Sequence, residues 1–382
     1  MSKRVAILTG GGDVPGLNMC LKSLVYRLID LGYEPIGVRK GWEGLVRYNP
    51  QNPSTYSEQF IELTKNVVRP IDRTSGSFLH SSRLDPRRIP DETVPDFLRQ
   101  PGSGDLDLTE HVLHVIQRLD FRGLIVIGDD DALQYAAYLS SKGVPVIGIP
   151  KTIHNNIFGT DYTLGFSTGL ARGVAFIHEL RALAGSFEKI IVVESFAAKS
   201  GYSTLLMAML AGVDRVLIPE VPYDADLLAQ LVLQDKRETP ANYAVVLICD
   251  GAHLSPQQES KYAQVLSFSG KSGLLSSGIV ASNVLTEITC ERVYLQHLTY
   301  LLRTGSPDGQ DLLGATNFAF WAAHLLHEGR FGRMTAFVKD RMWTDVELNL
   351  AIQGNRQVDV ASMYDAEQYK PNLSLIWSLE NL

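Results

Sequence analysis

Scarcities say more about this chain than abundances do. Cysteine is scarce: Cys20, Cys249 and Cys290 stand far apart in 382 residues, without C-x-x-C spacing. That argues against a disulfide framework or a cysteine zinc site and suits a reducing compartment. No apolar run approaches the ~18 residues of a membrane span. No Lys/Arg block occurs and the formal net charge is −7. Nucleic acid and anionic membrane are therefore not expected partners. Internal repeats and low-complexity tracts are absent. Met1-Ser2-Lys3-Arg4 runs into a strand-like segment with no apolar signal region, so a cytoplasmic location is expected.

What remains is an ordinary globular composition, 45% hydrophobic and 20% charged, in a chain long enough for two domains. Apolar bursts alternate with amphipathic stretches. Val5–Leu8, Pro35–Val38, Leu124–Ile127 and Val144–Ile149 read as strands; Leu17–Leu31, His111–Leu119 and Ala132–Leu139 read as helices. A second series follows: helix Thr168–Leu183, strand Ile190–Val193, helix Ser203–Leu210, strand Arg215–Ile218, helix Ala225–Leu233 and strand Tyr243–Cys249. Continuous apolar strands between helices predict parallel sheets covered on both faces, in two doubly wound lobes. Ligands are expected beyond the carboxyl ends of the strands, between the lobes. Asn49–Ser57 and Asp85–Asp105 read as loops, and Ser267–Ser277 as a mobile Gly/Ser-rich one.

Three segments carry chemistry. Thr9-Gly10-Gly11-Gly12-Asp13-Val14-Pro15-Gly16-Leu17-Asn18 follows a strand and opens a helix. Glycines there let backbone N–H groups approach a phosphate, and the helix N-terminus favours an anion. An ordinary strand–helix turn is the alternative, but GGD-x-PG-x-N is more specific than glycines alone. Gly128-Asp129-Asp130-Asp131 places adjacent carboxylates at a strand end, where Mg²⁺ is the natural partner and a solvated acidic turn the alternative. Pro150-Lys151-Thr152-Ile153-His154-Asn155-Asn156-Ile157, then Gly159 to Thr168, is dense in polar groups and reads as substrate contacts or a structural loop.

In this order and at these distances, the segments resemble the 6-phosphofructokinases. Gly41-Trp42-Glu43-Gly44-Leu45, Gly76 with Ser82-Arg83, Ile218-Pro219-Glu220, and Arg303-Thr304-Gly305-Ser306-Pro307 with Asp311 support the likeness, which covers about residues 4–335. It implies a two-lobed, three-layer α/β/α fold with mostly parallel sheets. Residues 1–149, with 304–355 returning, would form the donor-phosphate lobe, 150–303 the sugar-phosphate lobe, and 356–382 a tail. It also implies a homodimer or homotetramer. In that family the positions of Gly11, Gly12, Asp13 and Arg83 hold the donor phosphates, and that of Asp130 works through Mg²⁺, with Asp129 beside it. Asp131 and Lys151 match the residues that members using pyrophosphate carry where ATP-using bacterial members usually or often have Gly. Thr152, Asn156, Lys189, Asp250, Tyr300 and Arg303 fall at acceptor positions.

The acceptor half departs from the pattern. The usual T-I-D-N-D, whose first Asp is the general base, is Thr152-Ile153-His154-Asn155-Asn156. The M-G-R loop is Phe196-Ala197-Ala198, leaving Lys199 as the nearest cation, and the Asp of T-I-G-F-D-T is Ser167. Of the 6-phosphate arginines, Arg303 matches, one is Lys189, and another falls at Tyr294 near Arg292; the hydroxyl-binding Glu is Asp250. Three readings stay open: a phosphotransferase with His154 as base on a changed acceptor; a weak or inactive subunit that binds phosphate ligands and regulates a partner; and an ordinary phosphofructokinase whose base is a carboxylate such as Asp129.

Overall fold

In a computed structural model describing residues 3–99, 104–268 and 276–372, the chain forms two units. Unit 1 is Met1–Thr168 with Arg303–Gly354; unit 2 is Gly169–Leu302 with Asn355–Leu382. The strands are β1 (Arg4–Gly10), β2 (Glu34–Val38), β3 (Phe60–Glu62), β4 (Gly123–Gly128), β5 (Val146–Pro150), β6 (Ile190–Ser195), β7 (Arg215–Leu217), β8 (Ala244–Cys249), β9 (Val293–His297), β10 (Arg333–Val338) and β11 (Met342–Glu347). Unit 1 holds a seven-stranded sheet in the order β11-β10-β5-β4-β1-β2-β3, and only the edge strands β3 and β11 pair antiparallel. Unit 2 holds a four-stranded parallel sheet, β7-β8-β6-β9.

Alternation along each strand creates the layers. Ala6, Leu8, Leu124 and Val126 face Val112, Val115, Leu133 and Ala136 of the Thr109–Arg118 and Asp130–Ser141 helices. The Leu17–Asp30 helix buries Leu17, Leu21, Leu24 and Leu28 and packs along the Gly309–His327 helix. The chain is thus an α/β protein with strands buried on both faces. Predicted strands and helices are present with ends shifted by a few residues; the Asn49–Ser57 loop leads into a short helix, Thr55–Gln59. The edge strands β3 and β11, and β10 beside the latter, carry mixed polar sequence and give no clear apolar period. The expected mobile loop Ser267–Ser277 lies mostly outside the described residues, and its end, Ser276, caps the Ser277–Thr289 helix.

Register fixes what matters for the site. Gly10 pairs with Gly128, and Gly128 with Pro150. The glycine segment, the acidic turn and Lys151 therefore leave three adjacent parallel strands at one level. Unit 2 repeats the device: Glu194 pairs with His297 and Ser195 with Cys249, so Phe196, Asp250 and the β9 end leave that sheet together.

Unit 2 also buries an ion pair. Arg215 Nε and Nη2 donate to both carboxylate oxygens of Asp235 at 2.6 and 2.7 Å, and Nη1 donates to the Gln368 carbonyl at 2.6 Å. Removing one partner strands a buried charge. Asp235→Ala should therefore cost about 3–5 kcal/mol in urea unfolding; a loss under ~1 kcal/mol would refute this account.

Candidate active site

The unit 1 site is built on backbone held from several sides. Gly11 has φ +79°, and a Cβ there would lie 1.7 Å from Asp129 Oδ2. Gly11 N–H donates to the Ser82 carbonyl at 3.1 Å, and Ser81 Oγ donates to the Gly11 carbonyl at 2.5 Å. This N–H faces the Ser81–Ser82 segment rather than standing ready for a phosphate, unlike the simplest reading of the glycines. A Cβ on Gly12 would lie 2.2 Å from Arg303 Nη1. Asn18 ties the following loop down: its Nδ2 donates to Thr74, and its Oδ1 accepts from Phe78 N at 2.9 Å.

Lys151 is the centre of this arrangement. It is 1% exposed, and Nζ donates to the Gly12 carbonyl at 2.5 Å. Burial pulls its pKa down to about 8; Asp129 and Asp13 act against this, while Arg303 and Arg83 add to it. Four of the expected site residues thus surround one lysine. Burial also raises the Asp129 carboxyl, with Lys151 opposing and Asp130 adding. Asp129 caps the Asp130–Ser141 helix, accepting from Ala132 N at 3.3 Å, while Asp130 and Asp131 fall in the helix's first turn, Asp131 exposed. The carboxylates gather no group of three metal-ligating side chains among the described residues. Mg²⁺ does not require one, since it keeps waters and takes one or two carboxylates with substrate phosphate. Arg83 lines a cavity of about 420 Å³ with Glu43, Arg47 and Arg88.

The segment after Lys151 is equally tied. Thr152 Oγ1 accepts from His154 N at 3.1 Å, and the Thr152 carbonyl accepts from Thr163 Oγ1 at 2.6 Å. Asn155 adopts φ +50° and donates to the Asp161 carbonyl. Asn156 is buried. Arg303 Nη2 lies 3.4 Å from His154 Nε2. Arg303, expected at an acceptor phosphate, here touches both the donor-side loop and the base position. Ser167 Oγ donates to Asp308 Oδ2 at 2.6 Å. Fully buried Asp311 accepts from Gly165 N, Thr168 N and the Tyr162 hydroxyl.

The remaining residues expected at acceptor positions belong to unit 2. Asp250 Oδ1 accepts from Ala197 N at 2.6 Å. Tyr300, 74% exposed, meets Phe196 edge-on at 5.2 Å. Lys189 lines a cavity of about 580 Å³ with Lys236, Cys290, Glu291 and Arg292. Sequence reasoning missed Glu194. Its buried carboxylate accepts from Ser276 Oγ, Gly278 N and His297 Nδ1. A charged residue inside the apolar run of β6 was the available signal.

Alternating strands and helices, with a cation buried where three strands end, define a doubly wound α/β protein. Comparison with known proteins makes this specific. The profile of the family described as Phosphofructokinase matches residues 4–326. The chain is 32% identical over 369 residues to pyrophosphate–fructose 6-phosphate 1-phosphotransferase of Dictyoglomus thermophilum, covering 94% of this chain and 97% of that protein. It is 30% identical over 346 residues to ATP-dependent 6-phosphofructokinase 3 of Streptomyces coelicolor, covering 90% and 92%. The pyrophosphate-dependent phosphofructokinase structure from Marinobacter aquaeolei superposes with TM-score 0.75 at 16% identity, covering 98% of this chain and 89% of that one. This chain belongs to the phosphofructokinase family.

Lys151 generates a stability prediction. Its folded pKa, about 8, lies below the ordinary value of 10.5, so the charged form opposes folding. The penalty is full below pH ~8 and fades as pH rises towards ~10.5, because only the unfolded chain holds the proton between those values. Lys151→Met should stabilise the protein by about 3 kcal/mol at pH 7, with the gap to the unaltered protein closing by pH ~10.5. Equal unfolding midpoints at pH 7 would refute it.

Proposed function

We propose that this chain is a phosphotransferase that moves a phosphoryl group from pyrophosphate, or from ATP, to a sugar phosphate. The acceptor is fructose 6-phosphate or a changed relative, and His154 is the general base. The observation that carries the reading is the convergence on Lys151. A buried lysine is costly to the fold, and the family's donor-phosphate positions surround it. An anionic donor relieves that cost, since it supplies the charge that burial withholds.

The division of labour follows from the residues. Lys151, Arg83 and the Gly11–Gly12–Asp13 turn orient the donor and oppose its charge. Asp130 and Asp129 would hold Mg²⁺, which when bound neutralises donor-phosphate charge; the raised Asp129 carboxyl suits a nearby cation. Asp131, exposed in the first helical turn, repels the longer anionic chain of ATP and favours pyrophosphate. Neutral His154 accepts the proton of the attacking hydroxyl. Asp250, Thr152, Asn156 and Tyr300 contact the acceptor, and Lys189 and Arg303 its phosphate, in a homodimer or homotetramer. Asp129 is a poor alternative base: its carboxylate lies against Gly11 and caps a helix. The regulatory-subunit reading is favoured by Phe196-Ala197-Ala198, which supplies no cation and whose Ala197 N–H already occupies Asp250 Oδ1.

Mg²⁺-dependent transfer from pyrophosphate or ATP, screened over sugar phosphates, is the deciding experiment; ligand binding without turnover would favour the regulatory subunit. Two expectations are specific. Pyrophosphate should bind better than ATP, and Asp131→Gly should tighten nucleotide binding; calorimetry showing tight MgATP binding and no pyrophosphate binding by the unaltered chain would contradict this. The kcat/KM profile should be bell-shaped: it rises as His154 deprotonates and falls as Lys151 loses its proton through about 8. His154→Ala should remove the rising limb and lower turnover by ~10²-fold or more. Unchanged turnover in that variant would eliminate His154 as the base.

A further inference from the structure

His154 is held by a group that can only donate. A guanidinium has no acceptor, so a hydrogen bond across the 3.4 Å between Arg303 Nη2 and His154 Nε2 requires Nε2 to accept, which places the proton of a neutral imidazole on Nδ1. Nδ1 itself is buried, leaving Nε2 as the nitrogen a reacting hydroxyl can reach. The other prong of the fork, Nη1, lies against Gly12, whose carbonyl takes the Lys151 bond. One planar group therefore connects the donor-side loop to the base position. The remaining charges of this loop, Asp13, Arg83 and Asp129, are grouped around Lys151.

The contact has two opposed effects. It presents Nε2 in the correct tautomer, and it resists protonation there, because a fixed cation disfavours an adjacent imidazolium. Nε2 can take a proton only as the guanidinium turns to another partner. A phosphate group is a bidentate match for that fork; water or an uncharged sugar is not.

Resting on the reading of His154 as base, we propose that Arg303 is its positioning residue. Arg303 sets the Nδ1–H tautomer and yields Nε2 only to an acceptor carrying its own phosphate, so that the donor phosphoryl group is not passed to water. In the step itself the acceptor O–H bond breaks and its proton goes to Nε2. The new O–P bond forms as the donor's bridging P–O bond breaks, and the departing phosphate keeps the electron pair.

The test has a spectroscopic and a kinetic arm, both on the full chain. Long-range ¹H–¹⁵N spectra of ¹⁵N-histidine protein, assigned with His154→Gln, should show His154 as the Nδ1–H tautomer at neutral pH. Arg303→Lys, which also only donates, should keep it, and Arg303→Met should give a mixture. With pyrophosphate as donor, Arg303→Met should raise the ratio of donor hydrolysis to transfer at least ~10-fold, about 1.4 kcal/mol, and Arg303→Lys should restore part of it. An Nε2–H tautomer in the unaltered protein, or the same spectrum in Arg303→Met, would overturn the proposal even if that variant's activity were lost through misfolding. An unmoved ratio would overturn its gating half. Unchanged turnover in His154→Ala would instead remove the base reading beneath it, while leaving the tautomer result to be judged separately.

Discussion

A lysine ammonium out of water at the ends of three parallel strands is the constraint around which unit 1 is organised. Lys151 is there because Pro150 is in register with Gly128 and Gly128 with Gly10. A one-residue slip of β5 would carry the side chain to the other face of the sheet. Its hydrogen bond goes to a backbone carbonyl, that of Gly12. Around it the protein alternates charges: Asp129 and Asp13 on one hand, Arg303 and Arg83 on the other. Neither sign prevails, so burial decides and draws the lysine's pKa down to about 8. The glycines follow from this crowding as much as from any need for backbone freedom, since Asp129 and Arg303 occupy the space that side chains at 11 and 12 would fill.

The second unit reaches a comparable arrangement by different means. Glu194, buried near the end of β6, draws together the start of the Ser277–Thr289 helix and the end of β9 through Ser276, Gly278 and His297. Asp250 holds the chain after β6 through Ala197 N, and Ser277 Oγ donates to the Asp250 carbonyl. Carboxylates here fix loops at the carboxyl ends of strands, where the first unit uses a lysine.

Much of this was legible in sequence, for identifiable reasons. Strands β1, β4, β5, β6 and β8 are unbroken apolar runs because both faces are covered, and such runs read clearly. The glycine segment, the acidic turn and Lys151 each follow a strand end directly, so local pattern located those turns. What escaped depends on contacts between distant positions. Nothing near Gly11 signals that its N–H goes to Ser82, and nothing near Arg303 signals its contact with His154, 149 positions away. The edge strand β11 and its neighbour β10 escaped because the charged residues Arg333, Asp345 and Glu347 interrupt the apolar pattern while pairing with one another. Ser167 was legible as a departure, but its partnership with Asp308, which moves a carboxylate to a different element, was not.

That the Lys151 bond ends on a main-chain oxygen has a consequence for how such a protein can change over time. A partner made of backbone survives every substitution that preserves the fold, so the acceptor end of that bond is insulated from most single mutations. The turns after β5, β6 and β8 hold their contacts through side chains instead, where replacement alters chemistry while the register of each sheet stays as it was. A lineage built this way can alter those turns one residue at a time without first losing the bond that holds the lysine. His154, three positions beyond a lysine bonded to the main chain, stands where such asymmetry permits change.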